Sequence, residues 1–185
     1  MPSTSGGLSV NGVRLHYEES GAGAPILCIH GGGSSALVWT GTAEGLARLG
    51  RVIAYDRRGC GRSERPEPYE GTTVGEALIT EVAGQDVWRS FPEDVRRMLT
   101  DNGPALLAEL RAYEAPGADP AALAAIVQPV LLVTAADSPP EFHEPIEALA
   151  GALPDARTEL VGGDHLIDPA SPVVIAFIEQ VLGAR

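Results

Sequence analysis

The sequence is 185 residues long, 44% hydrophobic and 21% charged, an ordinary globular composition with apolar content for one substantial core. Its 25 acidic against 13 basic residues give a formal net charge of −12, which repels phosphate backbones and anionic lipid. Nucleic acid and membrane are therefore excluded as expected partners, and a small-molecule substrate or ligand, neutral or cationic, stays open.

Residues 1–12 are polar and glycine-rich, without the basic start and apolar core of a leader, and no apolar run approaches the roughly 18 residues of a membrane span. Cys28 and Cys60 make neither a disulfide framework nor a zinc-ligand spacing, so a reducing compartment and a cytoplasmic localisation are expected.

In chain order, the runs at 8–10 and 13–18 flank Asn11-Gly12, the strongest short hairpin signal, and predict two antiparallel strands. The uninterrupted apolar run from Ile26 to Ile29 predicts a strand buried on both faces, and it stops at His30-Gly31-Gly32-Gly33. Three successive glycines let the backbone turn sharply and bare their N–H groups toward a developing oxyanion or a carboxylate. Residues 43–49 predict a short helix ending at Gly50, and 51–55 the next strand, parallel to the first by the usual crossover rule.

Glycine, proline and charge make 59–75 a loop. Separate helices are then predicted over 76–83, 92–99, 104–112 and 120–126, broken at Asn102-Gly103-Pro104 and at Asp119-Pro120. Each shows an apolar face, which suits either a lid over a pocket or a cover for the sheet. A buried strand over 129–134, a helix over 146–153, a short strand over 158–161 and a closing amphipathic helix over 173–182 complete the chain.

Three motifs carry a resemblance. His30-Gly31-Gly32-Gly33 after a buried strand resembles the oxyanion loop of the α/β-hydrolase superfamily. The stretch from Tyr55-Asp56-Arg57 to Gly61-Arg62-Ser63 is similar to the loop after that family's next strand, and Gly162-Gly163-Asp164-His165 to its glycine-flanked catalytic histidine. The resemblance implies an α/β fold: a reduced, mostly parallel α/β-hydrolase-like sheet with an N-terminal antiparallel hairpin and a lid-like helical segment. A single domain is expected, with the N-terminal half of the sheet in 1–74, helices in 75–127 and the C-terminal half in 128–185.

No serine or cysteine sits in a G-x-S-x-G or G-x-C-x-G elbow, the turn that presents the family's nucleophile. In the family two further βα units, of about 30 residues each, lie between the loop at Asp56 and the lid. The chain therefore reads as internally shortened, with a seam near residues 72–76. Removing those central strands leaves hydrophobic edges that pair with each other or with a second chain, a homodimer through sheet edges.

The resemblance makes His165 the catalytic histidine, and His30, Gly31, Gly32 and Gly33 the oxyanion and substrate-binding loop. It carries the triad acid to Asp137, one position before the usual place, which Ser138 occupies; the other reading of Asp137 is a turn residue ahead of Pro139-Pro140. Ser34 and Ser35 read as helix caps, Ser63 as a turn residue and Cys60 as a loop cysteine, in preference to nucleophiles. His16 and His143 read as solvated single histidines. Neither metal nor cofactor is expected, for the histidines and carboxylates lack ligand spacing and the family chemistry needs none. The functional expectation is ester or lactone hydrolase lineage with impaired or residual activity; the alternatives are a non-catalytic small-molecule binding module and a histidine-base enzyme without covalent catalysis.

Overall fold

The computed structural model describes residues 4–65, 76, 79, 80, 84–112, 119–165 and 167–183. The chain forms two compact units, Met1–Glu114 and Ala115–Arg185, so the helical segment expected over 75–127 is shared between them.

In the first unit β1 (Thr4–Val10) and β2 (Val13–Ser20) form the expected hairpin. Asn11 and Gly12 supply the two left-handed residues of its turn, at φ 50° and 75°. With β3 (Pro25–Ile29) and β4 (Arg51–Tyr55) they make a four-stranded sheet of order β1-β2-β4-β3, in which β3 and β4 run parallel and β2 is antiparallel to β4. The crossover that a parallel pair requires holds a 3-10 turn, Ala36–Trp39, and α1 (Ala43–Leu46).

Register pairs Ile26 with Val52 and Cys28 with Ala54, so these four share one face. The 3-10 turn packs against both strands, and Cys28, Val52, Ala54, Ala36 and Leu46 are buried. Truncating Leu46 to Ala at such a site costs about 2–5 kcal/mol. The opposite face corrects the sequence reading: Leu27 and Ile29 are 57% and 55% exposed, because β3 ends the described sheet and is covered on one face rather than two.

α2 (Gln85–Ser90), which sequence reading passes over, starts after Gly84 and buries Trp88. A second correction concerns the helices expected over 92–99 and 104–112, which are one helix, α3 (Glu93–Ala112), running through Pro104. A proline inside a helix removes one backbone donor. Here Asn102, Ala105 and Leu106 around it are all buried, and that packing overrides the local break signal. Of the helix expected over 76–83, residues 76, 79 and 80 are helical and the rest lies outside the described residues, as does most of the presumed seam.

The second unit carries a parallel pair, β5 (Val130–Ala135) and β6 (Ala156–Val161). α4 (Pro120–Ala124) begins as expected, with Pro120 at its first position and Asp119 Oδ1 accepting from the Ala121 N–H at 2.9 Å. α5 (His143–Ala152) packs on both strands, and α6 (Pro172–Gly183) is tied to β6 by Arg157 donating to Gln180 at 2.9 Å. The described strands thus form two sheets, one in each unit.

Candidate active site

At the end of β3 the His30 ring is 3% exposed and fully engaged. Its Nδ1 bonds the Gly31 carbonyl at 2.8 Å and its Nε2 accepts the Arg57 backbone N–H at 2.9 Å, which fixes the proton on Nδ1. Burial pushes its pKa below the ordinary value, with the Arg57 guanidinium a smaller cause in the same direction. The Arg57 side chain returns to the His30 carbonyl at 3.3 Å and pairs with Glu109 of α3. His30 thus buckles the ends of β3 and β4 together, and Gly31–Gly33 follow it.

α3 rests on that loop. Leu106 is why the loop has no side chains to spare: a Cβ on Gly33, at φ 67°, would lie 3.1 Å from Leu106 Cδ2, and one on Gly32 would lie 3.0 Å from Glu109 Oε2. Asn102, 1% exposed, donates through Nδ2 to the carbonyls of Gly33 at 3.2 Å and Ser34 at 2.8 Å. Its Oδ1 accepts the Gly61 N–H at 3.0 Å and an Arg65 N–H at 3.3 Å. One amide therefore locks the glycine loop to the loop after β4. Sequence reading missed this residue, since its break signal pointed to a helix end.

Asp56, 2% exposed, accepts from the Ala36 N–H at 2.7 Å and the Arg62 N–H at 2.9 Å. Three nucleophile candidates of this unit, Ser35, Ser63 and Cys60, hold structural posts. Ser35 Oγ caps the 3-10 turn by accepting the Leu37 N–H at 3.3 Å, and it donates to Met98 Sδ at 2.9 Å. Ser63 Oγ donates to the Asp56 carbonyl at 2.5 Å and accepts the His16 N–H at 2.8 Å. Cys60 is 0% exposed, and burial pushes its thiol up to about 11, with Glu109 acting the same way. The Cys28 thiol is also pushed up to about 11 by burial.

In the second unit the loops after β5 and β6 are zipped together: Ala136 N–H donates to Val161 O at 2.8 Å and Asp137 N–H to Gly163 O at 3.0 Å. That brings His165, exposed, to Ser138, which is 7% exposed, with Ser138 Oγ 3.4 Å from His165 Nδ1. The Phe142 ring lies against the imidazole at 3.9 Å between centroids. Asp137 contributes its backbone to the zip, and the described bond to His165 comes from its neighbour. His143, read from sequence as solvated, is engaged at both nitrogens, 3.2 Å from Thr134 Oγ1 and 3.1 Å from the Ser138 carbonyl.

A family model described as the alpha/beta hydrolase fold matches residues 24–105. An uncharacterised hydrolase, YraK, of Bacillus subtilis (strain 168) is 40% identical over 74 residues, 40% of this chain and 27% of the relative. The soluble epoxide hydrolase of Corynebacterium sp. (strain C12) is 42% identical over 57 residues, 31% of this chain and 20% of the relative. The chain thus matches about a quarter of the length of these curated relatives. Among solved structures, a thermophilic esterase from Thermogutta terrifontis aligns with a TM-score of 0.71 at 18% identity, over 100% of this chain and 99% of that one. A serine hydrolase involved in carbazole degradation aligns with a TM-score of 0.72 at 16% identity, over 100% of both chains.

Proposed function

The chain belongs to the α/β-hydrolase superfamily, and from that premise we propose that it is an internally shortened member of the ester- and lactone-hydrolase lineage whose own hydrolysis is absent or residual. The observation that carries this reading is the contrast between an exposed histidine held from one side, His165, and three candidate nucleophiles, Ser35, Ser63 and Cys60, that are spent on structure. Ser35 caps a turn, Ser63 bridges two backbones, and Cys60 is buried as a neutral thiol.

In a triad the histidine takes the nucleophile's proton while backbone donors receive the oxyanion charge. The family resemblance gives the first role to His165 and the second to Gly31–Gly33. With no nucleophile in an elbow motif the route left to His165 is histidine-assisted attack by water, and enzymes that lose a triad member keep only about 10³–10⁴-fold over water. The proposed substrate is a small neutral or cationic molecule, in keeping with the net charge of −12.

The test is hydrolysis of short-chain p-nitrophenyl esters together with intact-mass labelling by a fluorophosphonate probe. Weak turnover lost in His165→Ala, without a stoichiometric adduct, is the expected result. An adduct mapped to one residue would overturn the missing-nucleophile reading.

The bond that holds His165 also favours a second reading, proton abstraction from a bound substrate by the histidine alone. It requires turnover of a substrate with an acidic C–H that is abolished by His165→Ala and untouched by the fluorophosphonate.

A further inference from the structure

We propose that Ser138 is the positioning residue of His165, its hydroxyl accepting the Nδ1–H and so holding the ring in the tautomer whose Nε2 lone pair faces outward. The inference rests on His165 being the base of the proposed function, and it names what orients that base.

Three observations carry it. The first is burial: Ser138 is 7% exposed whereas His165 is exposed, so the serine lies on the protein side of the ring. A substrate reaches an exposed imidazole from its outward nitrogen, and among the described residues Nδ1 is the nitrogen with a hydrogen-bond partner. The inward bond is therefore the orienting one, and a nucleophile for this base would have to stand at Nε2, where Ser138 does not.

The second is anchorage. The Ser138 N–H donates to Ala135 O at 3.1 Å, and its carbonyl lies 3.1 Å from His143 Nε2. A carbonyl only accepts, so His143 carries its proton on Nε2 and its Nδ1 takes the Thr134 hydroxyl proton, 3.2 Å away. β5 and the first turn of α5 thus grip the serine from both sides. The third is the Phe142 ring against His165, which restricts rotation of the imidazole and leaves the tautomer to the hydroxyl.

A hydroxyl does part of what a carboxylate does. It selects the tautomer, yet it carries no charge to balance an imidazolium, and charge-assisted hydrogen bonds are about twice as strong as neutral ones. A serine in this post supports a base that is aimed but only weakly driven, in keeping with residual chemistry.

The experiment is imidazole nitrogen NMR of the full chain, uniformly labelled with nitrogen-15, above the titration range of the ring. The expected result is a majority Nδ1–H tautomer for His165 in the wild type, a minority in Ser138→Ala, and a restored majority in Ser138→Thr. A wild-type His165 with its proton on Nε2 overturns the proposal and makes Ser138 the donor, as does a tautomer unmoved by Ser138→Ala in a folded protein. The wild-type spectrum decides even if a variant fails to fold. A stoichiometric fluorophosphonate adduct on a protein with Nδ1–H on His165 would sink the missing-nucleophile reading and leave the Ser138 assignment standing; weak turnover lost in His165→Ala, without an adduct and with Nε2–H on His165, would do the reverse.

Discussion

Asn102 Nδ2 donates to the Ser34 carbonyl at 2.8 Å across 68 residues of sequence, and through that bond α3 holds the loop that follows β3. Asn102→Ala removes four hydrogen bonds at once. Each largely buried backbone group left unmet costs about 1–3 kcal/mol, so a loss of about 2–4 kcal/mol is expected in urea unfolding followed by tryptophan fluorescence. A cost under about 1 kcal/mol would mean that water replaces the amide and that α3 does not lock the loop.

Two glycines of the same loop should differ. Gly33→Ala places a side chain at φ 67° and 3.1 Å from Leu106 Cδ2, whereas a Cβ on Gly31 meets nothing within 4 Å. Left-handed backbone costs a side-chain-bearing residue roughly 1–2 kcal/mol before the contact is counted. Gly33→Ala is expected to lower the unfolding midpoint clearly and Gly31→Ala hardly at all; equal effects would show that Leu106 does not rest on the loop.

The thiols offer a check on the nucleophile argument. At about pH 8, a thiol held near 11 is roughly one part in a thousand thiolate. Native protein should leave Ellman's reagent nearly unreacted and release two equivalents on unfolding. Rapid reaction of one equivalent in the native state, lost in Cys60→Ala, would return Cys60 to candidacy.

His30 gives a pH dependence with a definite sign. Burial lowers its folded pKa below the ordinary 6.5, so the unfolded chain binds the proton at higher pH than the folded one. Its contribution to stability is complete above the unfolded value and is lost as pH falls through the folded one. Between about pH 8 and pH 5, where an imidazole changes charge, wild type should lose more stability than His30→Asn. Parallel losses in the two proteins would show that the ring does not stay neutral in the fold.

Much of this molecule is legible in its sequence where the signal is local. Asn11-Gly12 dictates its hairpin and Asp119-Pro120 opens α4, because backbone conformation at those residues decides each outcome, whereas the helix expected to run to Gly50 ends at Leu46. The reading fails where partners are remote. Asn102-Gly103-Pro104 spells a break, yet the amide's four bonds lie in two loops far back in the chain. Likewise the run from Ile26 to Ile29 states that the strand is apolar, and only the sheet order tells which face is covered. His143 looks solitary in sequence because its partners, a strand hydroxyl and a loop carbonyl, carry no motif.

The exposed face of β3 bears on how this protein must be handled. Leu27 and Ile29 present two large aliphatic side chains at the end of a described sheet, the kind of surface on which strands recruit one another. A net charge of −12 opposes that recruitment by mutual repulsion. That repulsion reaches only about 8 Å at physiological ionic strength and about 3 Å at 1 M. Added salt therefore weakens that repulsion, and low ionic strength well above the isoelectric point near 4.6 is the storage condition the charge favours.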